Sequence, residues 1–522
     1  MQRTRWIFLD QLGPHFDDGD PMLLVESRSS WRGRTLHRAK LQLILSAIRH
    51  RAAELGDRVD FRQVEHYSEA LEGRDDLQVV DPTSYRARRL VRSVGAEVLP
   101  SRGFVSSEAE FAEWAAGRQG GRGPGRSAGA TADADDARRG GAGRPTGASG
   151  GRPAPRLLME DWYRAVRQRT GLLMEGPQPV GGQWNYDHDN REKPPKGAAT
   201  LGLPPQEWPD EDDIDAEVRA DLDRWERDGV VRLVGDDAPR RFAATRAEAT
   251  AALADFVEVR LPDFGPFEDA TLSGDWTMAH SLLSAPMNLG LLDPREVVEA
   301  AVASYQAGDA PLRSVEGFTR QIVGWRDWVW HLYWHLGEDF ATTSNALGAT
   351  QPLPEVFAGL DVEAVEAECL SETLDGLRRH GWNHHIQRLM ILGNWALQRG
   401  VDPAALNQWF VDMYVDGTPW VMPANVVGMS QHADGGIVAT KPYASGGAYV
   451  NRMTDHCGSC RFDPKKRLGE DACPVTAGYW AFLDRVEPVL SGNPRMGQQF
   501  AGLRGLADRE AVVEQERTRT TW

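Results

Sequence analysis

Hydrophobic and polar positions follow two rhythms along this chain, and the change between them divides it. Residues 5–9, centred on Trp6-Ile7-Phe8-Leu9, form a short apolar run closed by Asp10-Gln11-Leu12-Gly13-Pro14. That is the pattern of a buried parallel strand followed by a loop. Residues 22–26 repeat it, and 59–64 and 95–100 are further strand candidates. Between 36 and 55, Leu41, Leu45, Ile48, Ala52 and Leu55 recur at the spacing of an amphipathic helix. Strand–helix alternation over 1–118 predicts an α/β domain with a parallel sheet. No GxGxxG follows the first strand, which argues against a dinucleotide site of the Rossmann type.

The rhythm then stops. Residues 119–155 hold 11 Gly, six Arg and three Asp, with no Val, Ile, Leu, Met, Phe, Tyr or Trp. Such a segment buries too little apolar surface to offset its ordering entropy, so a disordered insertion is expected. Order is expected again over 156–244, with a helix from Met159 to about Gly171 and a polar, glycine-bounded loop from Gly181 to Arg191. Residues 207–237 carry 13 acids against four Arg and suit a solvated linker helix. From 245 to 522 the period is helical, clearest where Phe318, Ile322, Trp325, Val329 and Leu332 mark one face. Further helices are expected from His384 to Leu397 and from Pro403 to Met413. The second half is therefore all-α.

Composition adds exclusions. With 41% hydrophobic and 26% charged residues, the 522-residue chain is of ordinary globular type, neither collagen-like nor wholly disordered. No apolar run approaches the ~20 residues of a membrane span, nor the h-region of a signal peptide. A cytoplasmic protein is expected. The net charge of −17 disfavours a nucleic-acid partner, but residues 207–237 alone contribute −9 of it. Any contact with DNA then needs a local basic patch, for which Arg378-Arg379, Arg452 and Lys465-Lys466-Arg467 are candidates. The 18 Trp suit aromatic-rich helical cores.

All four cysteines lie in the helical half. Cys457, Cys460 and Cys473 form C-x2-C-x12-C followed by Pro474, and Cys369 is the distant fourth. Four thiolates suit either a tetrahedral zinc or an iron–sulfur cubane. Zinc favours two CxxC pairs. A lone triplet with one remote cysteine and a Cys-Pro end tilts toward [4Fe-4S], which would tie two distant parts of the domain together.

At this point the residues resemble one family, the iron–sulfur bacterial cryptochromes and photolyases. The resemblance runs through Leu9-Asp-Gln-Leu12, Lys40 with Ser46-Ala-Ile-Arg-His50, Met159 to Arg164, Gly181-Gly-Gln-Trp-Asn185 and Asn190-Arg191. It continues in Ser284 to Pro294, Glu316 to Arg326, His384 to Asn394, Gly428 to Gly436 and the cysteine triplet. It implies the photolyase/cryptochrome architecture, with FAD folded inside the helical domain, and a monomer acting on UV-damaged DNA. FAD-binding residues would include His280, Ser281, Ser284 and Asn288, with Arg320 and Arg326 supplying charge, and Asn394 and Asp416 reaching the ring or ribityl. In this family the second His of the pair faces a (6-4) lesion. That makes His385 the proton donor and His384 its neighbour, with Tyr443 close to the lesion and Trp409 as the flavin-proximal tryptophan. Trp420 is expected to pack.

Many relatives carry a 6,7-dimethyl-8-ribityllumazine antenna in the α/β domain. Asp10 and Glu26 would serve it here, although Ser29-Ser30-Trp31 stands where a further acid is expected. Asp187 and Asp189, on the expected DNA face, are candidate ligands for Mg2+. Two other departures touch the photochemistry: the stretch Val356 to Asp361 lacks the family's Trp, and Met422 replaces an acid near the flavin. The expectation is a light-dependent (6-4) photolyase. A blue-light receptor with the same cofactors is the alternative, and a metal-stapled nucleic-acid-binding module is a third possibility.

Overall fold

The computed structural model describes residues 3–120 and 157–522. The Gly/Arg-rich segment expected to be disordered lies, but for residues 119 and 120, outside the described residues.

Strands β1 (Thr4–Ile7), β2 (Met22–Ser27), β4 (Val59–Val64), β5 (Leu77–Val80) and β6 (Glu97–Leu99) form a parallel sheet in the order β4-β2-β1-β5-β6. The short β3 (Thr35–His37) lies outside it. Side chains alternate across the sheet. Trp6, Leu23, Val25 and Val79 enter one core, while Ile7, Met22 and Leu24 enter another shared with helix α1 (Arg38–Leu55). The predicted strands and α1 are present. The strand β5 was not expected, since Leu77-Gln-Val-Val80 is short and not cleanly alternating.

The acidic segment corrects the sequence expectation. Its helix, Asp213–Arg227, is not a solvated linker: Val218, Leu222 and Trp225 are buried in the core that α1 also enters. Two of its acids are buried too, because they have cationic partners. Asp215 pairs with Arg240, and Asp221 accepts from Arg49 at 2.6 Å. The following strand Arg232–Val234 pairs in parallel with β3, in register Thr35↔Arg232.

The remainder is helical. Several helices widen into π-helical turns, at Phe256–Arg260, Arg320–Arg326, Gln387–Gly393 and Ala424–Ser430. The last two pack so closely that a Cβ on Gly393 would stand 2.2 Å from the Ser430 hydroxyl. The helix Pro403–Met413 has the predicted limits. No described helix is long and apolar enough to cross a membrane.

Candidate functional site

Two places in the helical half gather the predicted side chains. The first lies beyond the C-terminal ends of two helices, Glu368–His380 and Pro403–Met413. The chain leaving the first delivers His384 and His385, and the loop leaving the second delivers Asp416. Asp416 is buried. It accepts two hydrogen bonds from Arg388, at 2.8 and 3.0 Å, and one from the Ser284 hydroxyl at 2.7 Å. The Asn288 amide donates to its backbone carbonyl at 3.0 Å. Burial raises the Asp416 carboxyl, but the Arg388 charge, the bonds from Arg388 and Ser284 and the Lys40 charge together hold it below the usual carboxylate range.

Beside this group the His280 and His384 rings stack at 4.4 Å, and the His280 and His385 rings are 6.1 Å apart. Burial pushes His280 down to about 3 and His384 well below the ordinary histidine value, so both are neutral. Their Nε2 atoms are buried without a hydrogen-bond partner. His385 differs: its side chain is 52% exposed and shares a 3.2 Å hydrogen bond with Asp269. His384 stands just before the helical run and accepts at Nδ1 from the Ile386 amide at 3.3 Å, whereas His385 is the first residue of that run and faces outward.

The second place is a pocket lined by all four cysteines together with His456 and Phe462. Cys369 opens the helix Glu368–His380, and Cys473 caps the helix Pro474–Leu490. A Cβ on Gly447 would come within 3.0 Å of the Cys473 sulfur, so the wall there requires glycine. Burial, then the other three thiols, raise Cys369 well above the usual thiol value, and burial pushes Cys457 up to about 12. Among the described residues, one trio of His, Cys or carboxylate ligand atoms lies mutually within 4.8 Å: His50, Asp212 and Asp215. No three cysteine sulfurs do.

Other predicted residues stand elsewhere. Arg320 does not reach the Asp416 group. It is buried among Asp187, Glu316 and Glu268, at 2.5, 3.5 and 3.8 Å, docking the 181–191 loop on its helix. The i,i+4 pairing with Glu316 takes it there. Arg326 donates to the Gly103 carbonyl at 3.0 Å and lies over Phe104 and Trp420. Burial lowers it to about 10. Trp420 packs, as expected.

Asn394 donates to the Ser445 carbonyl at 3.0 Å and accepts from the Ser445 amide. Ser281 accepts from the Leu283 amide at 3.3 Å. Trp409 is buried in a separate core, its indole donating to the Phe357 carbonyl at 2.9 Å. The Phe357 ring, in the stretch that lacks the family's Trp, sits between Trp409 at 5.0 Å and Trp395 at 5.2 Å. Tyr443 is partly exposed.

The α/β candidates are engaged with the protein itself. Asp10 is half-buried and hydrogen-bonded to Thr83, and desolvation raises its carboxyl. Glu26 holds Arg49 through two bonds of 2.9 and 2.8 Å. Asp187 already faces Arg320 and Arg191, and neither it nor Asp189 belongs to a three-ligand group. The basic patches are also neutralised in part: Arg378 and Arg379 pair with Asp375, Lys466 with Asp471 and Arg467 with Asp508. Sequence reasoning missed Arg388 and Asp269. Arg388 stands four residues after His384, on the same helical run, and that spacing was its signal.

A (6-4) photolyase of Agrobacterium fabrum is 37% identical over 532 aligned residues, covering 96% of this chain and 95% of that protein. This chain belongs to the prokaryotic (6-4) photolyase family. A family model described as deoxyribodipyrimidine photo-lyase-related protein matches residues 5–122 and 150–230. Among solved structures, a bacterial class III photolyase from Agrobacterium tumefaciens superposes with a TM-score of 0.53 at 14% identity, covering 94% of this chain and 98% of that one. A cryptochrome from Synechocystis sp. PCC6803 gives 0.52 at 11% identity, over 87% and 88%. These two likenesses speak for the fold: an α/β domain with a parallel sheet joined to a helical domain, as expected for the photolyase family. Membership implies FAD as cofactor.

Proposed function

We propose that this chain is a light-dependent DNA-repair flavoprotein that reverses (6-4) photoproducts, with His385 as the proton donor. The observation that carries it is the family match over nearly the whole chain, to a relative described as a (6-4) photolyase. The histidine pair beside the part-buried Arg388–Asp416 pair fits the same chemistry.

The residues present fit FAD. Ser284, Asn288 and Arg388, all half-buried, form a polar group around the buried Asp416 able to hold hydroxyl, amide and phosphate functions, and the orphaned Nε2 atoms of His280 and His384 offer two further partners. Bound FAD would supply the light-driven electron to the damaged base, which must first leave the duplex stack. The chain's own part is protonic and positional. His385 is open to solvent and oriented by Asp269, so it can deliver a proton to a base presented at the surface. His384 and His280, kept neutral by burial, add no charge that would compete.

The four-cysteine pocket suits a [4Fe-4S] cluster, because a lone CxxC with two further cysteines, one of them remote, departs from the paired CxxC pattern of zinc. Its role is structural: it ties Cys369 to the 457–473 loop. The receptor reading has one observation in its favour, the Phe357 ring between Trp409 and Trp395.

The test is illumination of the purified protein with oligonucleotides carrying either a (6-4) product or a cyclobutane dimer. Repair of the (6-4) product, lost in His385→Ala, is expected. Repair of neither lesion favours the receptor, and repair that survives His385→Ala refutes the proton-donor assignment. A preparation without flavin absorbance near ~450 nm would remove both photochemical readings.

A further inference from the structure

The Asp416 loop is held from outside its own domain. Lys40, in the first turn of α1, is 5% exposed, and its ammonium donates to the carbonyls of Val411, Tyr414 and Gly417. These carbonyls belong to the last turn of the helix Pro403–Met413 and the loop that follows, where backbone acceptors have no partner within the helix. An ammonium has three donors and no acceptor, so the match is complete. The cage is tight: a Cβ on Gly417 would stand 2.5 Å from the Phe410 carbonyl and 2.8 Å from that of Val411.

The same corner of the α/β domain makes two more contacts of this kind. Arg34 pairs with Asp412. His37 packs on the turn that ends the helix Glu368–His380, its Nδ1 lying 3.1 Å from where a Cβ on Gly381 would be. Val415 in turn donates its amide to the Gly381 carbonyl at 2.9 Å. One corner of the α/β domain thus plugs the two helix ends from which the His384 and Asp416 segments emerge.

We propose that Lys40 is a positioning residue for Asp416: its ammonium, reaching in from the α/β domain, holds the 411–417 loop in the shape that binds the cofactor. The proposal rests on the assignment of the Asp416 group to FAD. It has a pH signature. Burial, and then Arg34, push Lys40 down to about 7, against the pull of Asp412 and Asp416, and its charge bears in turn on His37. A neutral amine has two N–H groups and a lone pair, so one of the three carbonyls then faces a lone pair. The loop is fully tied below that pH and looser above it.

The experiment is titration of flavin-free protein with FAD between pH 6 and 9, followed by quenching of flavin fluorescence. Wild-type Kd should rise about tenfold across this range. In Lys40→Met it should start about tenfold higher at pH 6 and stay flat, with circular dichroism and iron content unchanged. Wild-type affinity in Lys40→Met, or a wild-type slope in that variant, overturns the proposal. If Lys40→Met does not fold, Lys40→Arg, whose charge is permanent, should give a flat profile, and a slope there overturns it. A flat wild-type profile overturns it unaided. Asp416→Asn separates the two ideas: undiminished FAD affinity in that variant removes the FAD assignment itself, whereas weakened affinity there with a normal Lys40→Met removes only the role of Lys40.

Discussion

The cysteine pocket and the Asp416 site sit in the same helical domain and are built on opposite plans. The pocket's four cysteines have each other as common neighbours, and burial drives Cys369, Cys457 and Cys473 toward the protonated thiol. The Asp416 site pairs its polar groups internally: Arg388 with Asp416, Ser284 with Asp416, Asn288 with the Asp416 carbonyl. The first site gathers four like groups at one place. The second is self-consistent as a structure, so each of its residues also has an ordinary structural role. A site of the first kind fails as a unit when one member is lost. One of the second kind should lose binding and stability in separable steps.

The largest break in that contrast is Cys369→Ser. Loss of bound iron is expected, with destabilisation of the loaded protein by more than about 5 kcal/mol, because metal binding and folding are coupled. Iron analysis and a thermal melt check it. If the variant keeps a full complement of iron, Cys369 is not a ligand.

Asp416→Asn comes next. It keeps the shape but leaves the half-buried Arg388 charge without its partner, at a cost of about 2–3 kcal/mol in denaturant unfolding. Asp375→Asn, at a more exposed pair of arginines, should cost less than about 1 kcal/mol.

A smaller, graded effect comes from pH. The folded-state value of His280 lies near 3, below that of the unfolded chain, so the unfolded state takes up the proton first. Its contribution is complete above about 6.5 and is lost as pH falls toward 3, by about 1.4 kcal/mol per unit. His280→Gln should flatten the acid limb of the stability profile, and an unchanged limb would show that another group sets it. The smallest stability effect belongs to His385→Ala, within about 0.5 kcal/mol, although repair should be lost. A large loss of stability there would mean that His385 supports the fold.

The same contrast explains what the sequence made legible. The cysteine inventory is self-contained, so its convergence could be inferred from spacing and count. The helix Pro403–Met413 was readable because its cap, its proline and its apolar face agree. Arg320's surroundings were not legible because its partners, Asp187, Glu316 and Glu268, come from three separate segments, and spacing within one helix does not show them. The acidic helix misled for the same reason. Asp215 and Asp221 look solvated until Arg240 and Arg49 are brought to them. Arg388 and Lys40 lay within matched motifs, but their purpose resides in the acceptors they meet.

The pairing of β3 with the strand Arg232–Val234 bears on how the chain is made. Thr35 meets Arg232, so this edge of the α/β domain stays open while everything between them is synthesised. The sheet from β1 to β6 can form early. The corner that carries Arg34, His37 and Lys40 gains its strand partner only later, and the carbonyls that Lys40 caps come later still. Such long-range closures are slow to form. The corner should therefore be among the last parts of the molecule to set during biogenesis, and the Asp416 loop takes its final shape only then.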